Sequence, residues 1–263
     1  MVSLDKIRAP LFVPATRPDR FEKAAASGCD AIILDLEDAV NPEEKNAARD
    51  ALRCDFTDLP VLVRINGTAS SHHLADMNAV LQLPIAGVVL PKSEICEATD
   101  QTIARLKRHA PVLALIETAR GMVQAQDLAM HDGIERFIFG SLDYCVDLGC
   151  AHDADLLLPA RMALVMASRL GALAAPIDGV TTDLSDMSTT RADAMNAKRL
   201  GMGGKLCIHP KQIAPVMQSF KSSEARIDWA KKVLALAAGV SILNGQMVDE
   251  PVRQEARAVL AAQ

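Results

Sequence analysis

Eight short aliphatic runs recur along the chain, each separated from the next by a longer stretch rich in Ala, Leu, Arg and Glu. Several runs are continuously apolar, which is typical of parallel strands buried on both faces. They begin at Leu11, Ala31, Pro60, Gly87, Val112, Arg136, Ala175 and Gly204. Eight βα units within 263 residues predict an α/β fold, the (β/α)₈ TIM barrel.

A doubly wound open sheet is the alternative architecture, but it would need a phosphate-binding turn after its first strand. The chain has no GxGxxG or Walker sequence, and its glycine-rich stretch at 201–204 precedes the last strand. We therefore predict a barrel over residues 1–210. Residues 211–263 are predicted to be a C-terminal helical extension and lid of the same domain, with helices around the interruption SILNGQMVDEP. The methionines of LLLPARMALVMASRL have helical spacing and are predicted to be core residues.

Composition narrows the classes of function. The formal net charge is −5 and only 3% of residues are aromatic, which disfavours nucleic-acid binding and stacking platforms. Six cysteines without a CxxC pair suit reduced thiols. The longest apolar stretch, from Val233, is too short to span a bilayer. These features predict a cytoplasmic protein without nucleic-acid or membrane partners.

Polar side chains follow the predicted strands at their carboxyl ends, where barrel enzymes place their active sites. Burying so many charges is costly unless they are paired or bind a ligand. The sequence therefore predicts an active site at this end of the barrel. Its residues are Asp35, Glu37 and Asp38 after the second strand, Arg64 and Asn66 after the third, Lys92, Glu117, Ser141 and Asp143, Asp178, and His209.

Glu117 and Asp143 follow adjacent strands and form a candidate site for a divalent cation. Mg²⁺ prefers oxygen ligands and often takes one or two carboxylates together with water. Arg64 offers a planar fork for a substrate carboxylate. A structural ion pair between Glu117 and Arg64 at the rim is the alternative interpretation.

Two further interpretations of single residues stay open. Lys92 could be a Schiff-base lysine or a cation at the rim. Cys145, Cys150 and His152 lie close in sequence and could contribute to a zinc site, although a fourth ligand is not evident.

Nine segments, taken in order, resemble the citrate lyase β-subunit-like branch of the HpcH/HpaI aldolase superfamily, which also holds malyl-CoA and citramalyl-CoA lyases. The resemblance covers nearly the whole chain, and LDLEDAV together with IHPKQI is its specific part. The segments are FVPATRPDRFEKA, AIILDLEDAV, LVRING, VVLPK, ALIETARG, FGSLDY, PIDGV, CIHPKQI and GQMVDEP.

The resemblance implies roles for particular residues. Glu117 and Asp143 would be the metal ligands, Glu37 and Asp38 would support metal-bound waters, and Arg64 would bind the substrate carboxylate. Asp249 would act as acid or base on the acyl-CoA methyl carbon, in a lid over a neighbouring subunit of a homotrimer or hexamer. CoA would lie near Pro14, Arg17 and Arg20.

The implied activity is Mg²⁺-dependent, reversible cleavage of a carbon–carbon bond in a hydroxyacyl-CoA thioester of the malyl-, citramalyl- or citryl-CoA type. The products would be acetyl-CoA and a small oxo acid. Two alternatives are the β subunit of a citrate lyase complex, acting on an acyl-carrier-protein thioester, and a malate synthase-like condensing thioesterase. A catalytically inactive binding scaffold is disfavoured, because a suitable residue stands at every position of the family's metal site.

Overall fold

The computed structural model describes residues 4–261 and places all eight aliphatic runs in parallel strands. Each strand pairs with the next along the chain, and a bridge between Leu11 and Cys207 joins the last strand to the first. The prediction of a TIM barrel is thereby confirmed. The strands are β1 (Pro10–Pro14), β2 (Ala31–Asp35), β3 (Val61–Arg64), β4 (Gly87–Leu90), β5 (Val112–Ile116), β6 (Ile134–Phe139), β7 (Ala174–Asp178) and β8 (Gly204–Lys205).

Helices alternate with these strands, as the Ala- and Leu-rich stretches predict. They are α1 (Phe21–Ala25), α2 (Lys45–Asp50), α3 (His73–Val80), α4 (Glu97–Leu106), α5 (Ala119–Val123), α6 (Ala125–Ala129), α7 (Ser141–Leu148), α8 (Leu158–Leu170), α9 (Met187–Arg199) and α10 (Ile213–Phe220). None of the helices within residues 4–261 combines the length and the apolar character that a bilayer span needs.

The amino-terminal end of the barrel is closed by the segment before β1. Leu4 and Ile7 pack in one core cluster with inward-facing strand residues such as Ile33, Leu62 and Ile138. Burying each such aliphatic side chain contributes roughly 1.5–3 kcal/mol. The barrel interior at this end is therefore a packed core.

Arg136 reinforces this closure from β6. Its guanidinium is fully buried and donates hydrogen bonds to the backbone carbonyls of Leu4, Ile7 and Ala175. Burial lowers the pKa of Arg136 to about 9. The side chain thus ties the segment at residues 4–7 to two strands of the barrel.

The contacts divide the chain into two compact units, with the boundary between Met217 and Gln218. The second unit contains α11 (Glu224–Ala235), the antiparallel strands β9 (Ser241–Leu243) and β10 (Gln246–Val248), and α12 (Glu250–Ala261). Arg253 of α12 donates hydrogen bonds to two backbone carbonyls near the end of α11. One belongs to Val233, in the last turn of the helix, and the other to Leu236, which follows it. These bonds satisfy acceptors that a helix end leaves unpaired.

The predicted interruption SILNGQMVDEP is a β-hairpin. Asn244 and Gly245 both have positive φ, at 50° and 80°, and they form the two-residue turn between β9 and β10. Asn-Gly is the sequence most typical of such turns. The sequence analysis predicted an interruption of the helices at this segment but not that it forms paired strands.

The prediction that the methionines of helix α8 belong to the core is wrong. Met162 and Met166 are 38% and 57% exposed. With Leu158 and Leu170 they occupy every fourth position, which places all four on one solvent-facing stripe. Helical spacing indicates that these residues share one face but does not indicate whether that face is buried or exposed.

Candidate active site

The carboxyl ends of the strands surround a cavity of about 420 Å³. Its wall combines charged side chains with apolar ones such as Phe12 and Phe139. Five of the charged residues expected from the sequence line it, namely Asp35, Asp38, Arg64, Glu117 and Asp143.

Glu117 directly follows β5 and is only 2% exposed. Its Oε1 accepts a hydrogen bond from the backbone N–H of Lys92 at 2.9 Å. Its Oε2 lies toward Gly140, where a Cβ atom would stand 2.5 Å from that oxygen. A glycine at position 140 therefore leaves room for the Glu117 carboxylate between two strands.

The electrostatic surroundings of Glu117 are strongly acidic. Burial and the neighbouring Glu37 carboxylate raise the pKa of Glu117 to about 8, and Asp143 adds to this effect. Carboxylates so close together disfavour one another's charged form. A cation bound between them would offset that repulsion.

Lys92 supplies part of the compensating charge. Its Nζ lies 2.8 Å from Glu37 Oε1 and 3.7 Å from Glu117 Oε1. Although burial opposes the shift, the bond to Glu37 raises the pKa of Lys92 above its usual value. The side chain is held as an ammonium ion, which has no lone pair for Schiff-base formation. The geometry favours the rim-cation interpretation.

Arg64 is oriented by Asp35, its register partner on β2. Arg64 Nε and Nη2 donate to the two oxygens of Asp35 at 2.8 and 2.6 Å, a bidentate arrangement that fixes the guanidinium plane. The guanidinium also lies over the Phe12 ring, 4.9 Å from its centroid.

The remaining edge of Arg64 faces the two acids that follow β2. Its Nη1 lies 3.1 Å from Glu37 Oε2 and 3.5 Å from Asp38 Oδ2. The alternative of a Glu117–Arg64 ion pair is not seen among residues 4–261, where Arg64 pairs with these acids and with Asp35. Glu37 Oε2 is buried and makes no aligned hydrogen bond within the described chain.

Asp143 lies in the first turn of α7, immediately after β6, and its side chain is exposed at the cavity wall. Residues 4–261 contain no cluster of three or more acidic, histidine or cysteine side chains that could hold a metal ion. Mg²⁺ keeps several waters and needs only one or two carboxylates. The pair of Glu117 and Asp143, with Glu37 Oε2 nearby and without an aligned hydrogen bond, fits such a hydrated cation.

A second cavity of about 620 Å³ lies beside β1 and α1. It shares Phe12, Pro14 and Ile208 with the first cavity, so the two are neighbours. Its cationic lining residues include Arg17, Arg20 and Lys23. The sequence analysis placed CoA near Arg17 and Arg20, which stays a prediction, and it did not name Lys23.

Other predicted residues take structural roles. His209 accepts a hydrogen bond from the Lys211 backbone N–H and forms a capping box with Gln212. Within the described chain, the zinc interpretation of Cys145, Cys150 and His152 finds no support. His152 Nε2 instead lies 2.9 Å from Ser141 Oγ.

A buried charge cluster lies at the carboxyl ends of β7 and β8. Arg161 Nε donates to Asp178 Oδ1 at 2.8 Å, and Lys205 Nζ lies 3.5 Å from Asp178 Oδ2. Burial opposes the shift, but Lys205 and Arg161 hold the pKa of Asp178 below its usual value.

Asp249 lies in the C-terminal unit, at the start of α12. Its Oδ1 accepts the backbone N–H of Val252 at 3.3 Å, which is the bond of a helix N-cap. This contact gives Asp249 a structural role, and the catalytic role stays a prediction.

The match to known proteins extends over most of the barrel. Residues 8–210 match the family model described as HpcH/HpaI aldolase/citrate lyase. The chain belongs to this family. Its resemblance to the HpcH/HpaI aldolase/citrate lyase family, inferred above from nine short segments, is confirmed.

Individual members of the HpcH/HpaI family are similar over nearly their whole length. A citrate lyase subunit beta-like protein of Deinococcus radiodurans is 36% identical, with 97% of this chain and 96% of the relative covered. A (3S)-malyl-CoA thioesterase of Cereibacter sphaeroides is 31% identical, with 97% and 93% covered.

Among solved structures of the family, that of protein CitE from Mycobacterium tuberculosis superposes with a TM-score of 0.86. The two chains are 34% identical, and the match covers 98% of this chain and 99% of the other. That structure is a complex with magnesium, acetoacetate and coenzyme A.

Proposed function

We propose that this HpcH/HpaI family member is a Mg²⁺-dependent carbon–carbon lyase that reversibly cleaves a hydroxyacyl-CoA thioester to acetyl-CoA and a small oxo acid. The observation that carries the proposal is the position of Glu117. One of its oxygens is fixed by Lys92, and the other is directed toward the strand that leads to Asp143.

Glu117 and Asp143 would hold the metal, and Glu37 and Asp38 would accept hydrogen bonds from its waters. When bound, Mg²⁺ would act as a Lewis acid and template for the 2-hydroxy or 2-oxo acid part of the substrate. The pairing of Arg64 with Asp35 fixes the plane of the guanidinium, and its Nη1, which also contacts Glu37 and Asp38, would face an incoming oxygen. Arg64 would thus bind the substrate carboxylate and neutralise charge on the oxygen that becomes the carbonyl.

Cleavage breaks the bond between the hydroxyl-bearing carbon and the carbon next to the thioester. The hydroxyl group would release its proton to solvent water and become the carbonyl of the oxo acid. The electron pair would pass to the thioester as an enolate, and a proton from Asp249 of a neighbouring subunit would then reach the carbon to give acetyl-CoA. Because the thioester lowers the cost of this carbanion, no covalent lysine adduct is required.

The cationic cavity beside α1 supports the choice of a CoA thioester. Arg20 and Lys23 offer positive charge for phosphate groups, and Arg17, which pairs with Asp19 of the same lining, would add to it. The wall shared through Pro14 would let the thioester arm reach the acidic cavity.

The ligands bound in structures of relatives agree with these ligand classes. Beside the complex with coenzyme A, another M. tuberculosis citrate lyase β-subunit structure contains oxaloacetate and magnesium, and its chain is 32% identical to this one. Divalent metal, oxo acid and CoA therefore all occur together with this fold in relatives.

The decisive experiment is a substrate panel with purified protein and Mg²⁺. We expect acetyl-CoA release from at least one of malyl-, citramalyl- or citryl-CoA, and complete loss of release in EDTA. Glu117→Gln should lower kcat/KM by at least about 100-fold, since it removes a ligand oxygen's charge. Glu135→Gln, at an exposed residue near the start of β6, is the matched control. Activity that survives EDTA would overturn the metal mechanism.

The CoA site has its own test. Replacing Arg17 and Arg20 together by alanine should raise KM for the CoA thioester about tenfold or more at low salt. Added salt should raise the KM of the wild-type enzyme toward that of the variant, because salt screens the charges of the two arginines. Arg108→Ala removes an exposed arginine outside both cavities and is the control. An unchanged KM would place CoA elsewhere.

The relative named as a (3S)-malyl-CoA thioesterase favours a second candidate, thioester hydrolysis coupled to condensation. The same panel separates the two, because hydrolysis yields free CoA and a hydroxy acid without acetyl-CoA.

A third candidate is the β subunit of a citrate lyase complex, which acts on an acyl-carrier-protein thioester. It is favoured by the relative named as citrate lyase subunit beta of Leuconostoc mesenteroides, which is 32% identical. A carrier-protein thioester turned over faster than the CoA thioester would support that alternative. A homotrimeric or hexameric assembly and a cytoplasmic location remain predictions.

A further inference from the structure

The end of α7 is a Schellman motif, in which a left-handed residue reverses the chain after a helix. Gly149 has φ 67° and ψ 31°. The Cys150 N–H donates to the Cys145 carbonyl at 3.0 Å, and the Gly149 N–H donates to the Val146 carbonyl at 3.2 Å. These two bonds define the motif.

This motif brings together the side chains at its two outer positions, which usually make an apolar contact. Here both positions are cysteines. The Cys145 thiol is buried against the turn, and the Cys150 side chain is half-buried at the opposite outer position. Both cysteines are reduced, and Cys150 is the more accessible of the two.

The chain beyond the motif returns along α7. Cys145 Sγ donates to the Ala151 carbonyl at 3.5 Å, and His152 Nε2 lies 2.9 Å from Ser141 Oγ. Ser141 and Cys145 are four residues apart and occupy one buried face of the helix. Residues 150–152 are therefore held to the same helix that carries Asp143.

We propose that Cys145 and Cys150 form a reversible intramolecular disulfide when the protein meets a peroxide, and that this redox modification locks the returning segment onto α7. The inference stands on the geometry of the motif and is independent of the proposed lyase activity.

The chemistry balances with hydrogen peroxide as the oxidant. The half-buried Cys150 sulfur attacks one peroxide oxygen, the O–O bond breaks, and a sulfenic acid and one water result. The Cys145 sulfur then displaces the sulfenic hydroxyl group as a second water and forms the S–S bond. Two thiols are oxidised, one peroxide is reduced, and the two thiol protons end in water.

The test is peptide mapping by mass spectrometry after mild peroxide treatment of the full chain, with and without later reduction by dithiothreitol. We expect a Cys145–Cys150 crosslink that dithiothreitol reverses. Amide exchange over residues 149–153 should become about tenfold slower in the oxidised protein, since a disulfide restricts local opening.

Variants separate this pair from the other thiols. Cys150→Ser and Cys145→Ser should each abolish the crosslink, whereas Cys96→Ser, at an exposed cysteine immediately before α4, should leave it unchanged. Circular dichroism of each variant and of the oxidised protein should match the untreated wild type. Sulfinic or sulfonic acid at Cys150 with a free Cys145 thiol, a crosslink to another cysteine, or loss of the fold on oxidation would overturn the proposal.

Discussion

The backbone N–H of Lys92 donates to Oε1 of Glu117 while the same residue adopts a left-handed conformation, with φ 49°. Such a conformation is uncommon for a residue with a side chain and is held by its surroundings. It directs both the amide and the ammonium group of Lys92 at carboxylates of the site. One residue thus orients Glu117 and also balances part of the acidic charge.

Because this role depends on charge, Lys92→Arg should retain more activity than Lys92→Met. We expect the methionine variant to lose about 10- to 100-fold in kcat/KM, the effect typical of groups that orient metal ligands. Borohydride added to wild-type enzyme with a small oxo acid should give no covalent product by mass spectrometry, since the ammonium ion cannot attack a carbonyl. A reduced adduct at Lys92 would show that the lysine is a nucleophile.

Gly140→Ala should disturb the site through packing alone. The new Cβ atom would lie 2.5 Å from both Cβ and Oε2 of Glu117, so the carboxylate must move. We expect a cost of about 1–3 kcal/mol in unfolding free energy and weaker Mg²⁺ binding by calorimetry. Gly67→Ala is the control, because the nearest atom to its Cβ would be 3.8 Å away. Equal effects of both variants would argue against this view of Gly140.

The two roles of Asp249 can be separated by substitution. Asparagine caps helices about as well as aspartate, so Asp249→Asn should preserve stability. If Asp249 is the acid, turnover should fall by about 100-fold or more. Asp249→Ala should lose turnover and also about 1 kcal/mol of stability, through loss of the bond to Val252. Stability is measured by urea denaturation, and full turnover by the asparagine variant would leave the cap as its only role.

Asp178→Asn should strongly destabilise the barrel. It would leave the buried Arg161 without its counter-ion and Lys205 with only Asp193, 4.0 Å away, a loss of about 3–5 kcal/mol at neutral pH. Asp132→Asn, at an exposed partner of Lys107, is the control and should change little.

The pH dependence of the Asp178 contribution follows from its lowered pKa. The unfolded state binds the proton more readily, so the contribution is complete above an unfolded pKa of about 4 and is lost as pH falls through the lower folded pKa. The difference in unfolding free energy between wild type and Asp178→Asn should therefore shrink in acid. A difference that stays constant down to pH values below about 3 would contradict this assignment.

The strands and the location of the site could be predicted from the sequence because both depend on local pattern. Apolar runs mark buried strands, and parallel strands bring their carboxyl ends together. Partner choice could not be predicted in the same way. Arg64 pairs with Asp35 because the two are register partners on adjacent strands, and register is a property of the assembled sheet.

Other features depend on space that only the folded chain defines. Nothing in the local sequence says that Gly140 faces Glu117, or that the α8 methionines face solvent. The hairpin at Asn244 and Gly245 is different, since its turn signal is present in the sequence and was outweighed by the helical pattern on both sides.

The buried guanidinium of Arg136 closes the barrel, together with Leu4 and Ile7, at the end opposite the acidic cavity. Within residues 4–261, a small molecule therefore finds no passage along the barrel axis from one end to the other. A reactant that binds deep in the cavity must arrive before one that binds above it, and two products must leave in the reverse order. Product inhibition patterns would reveal this order of binding and release.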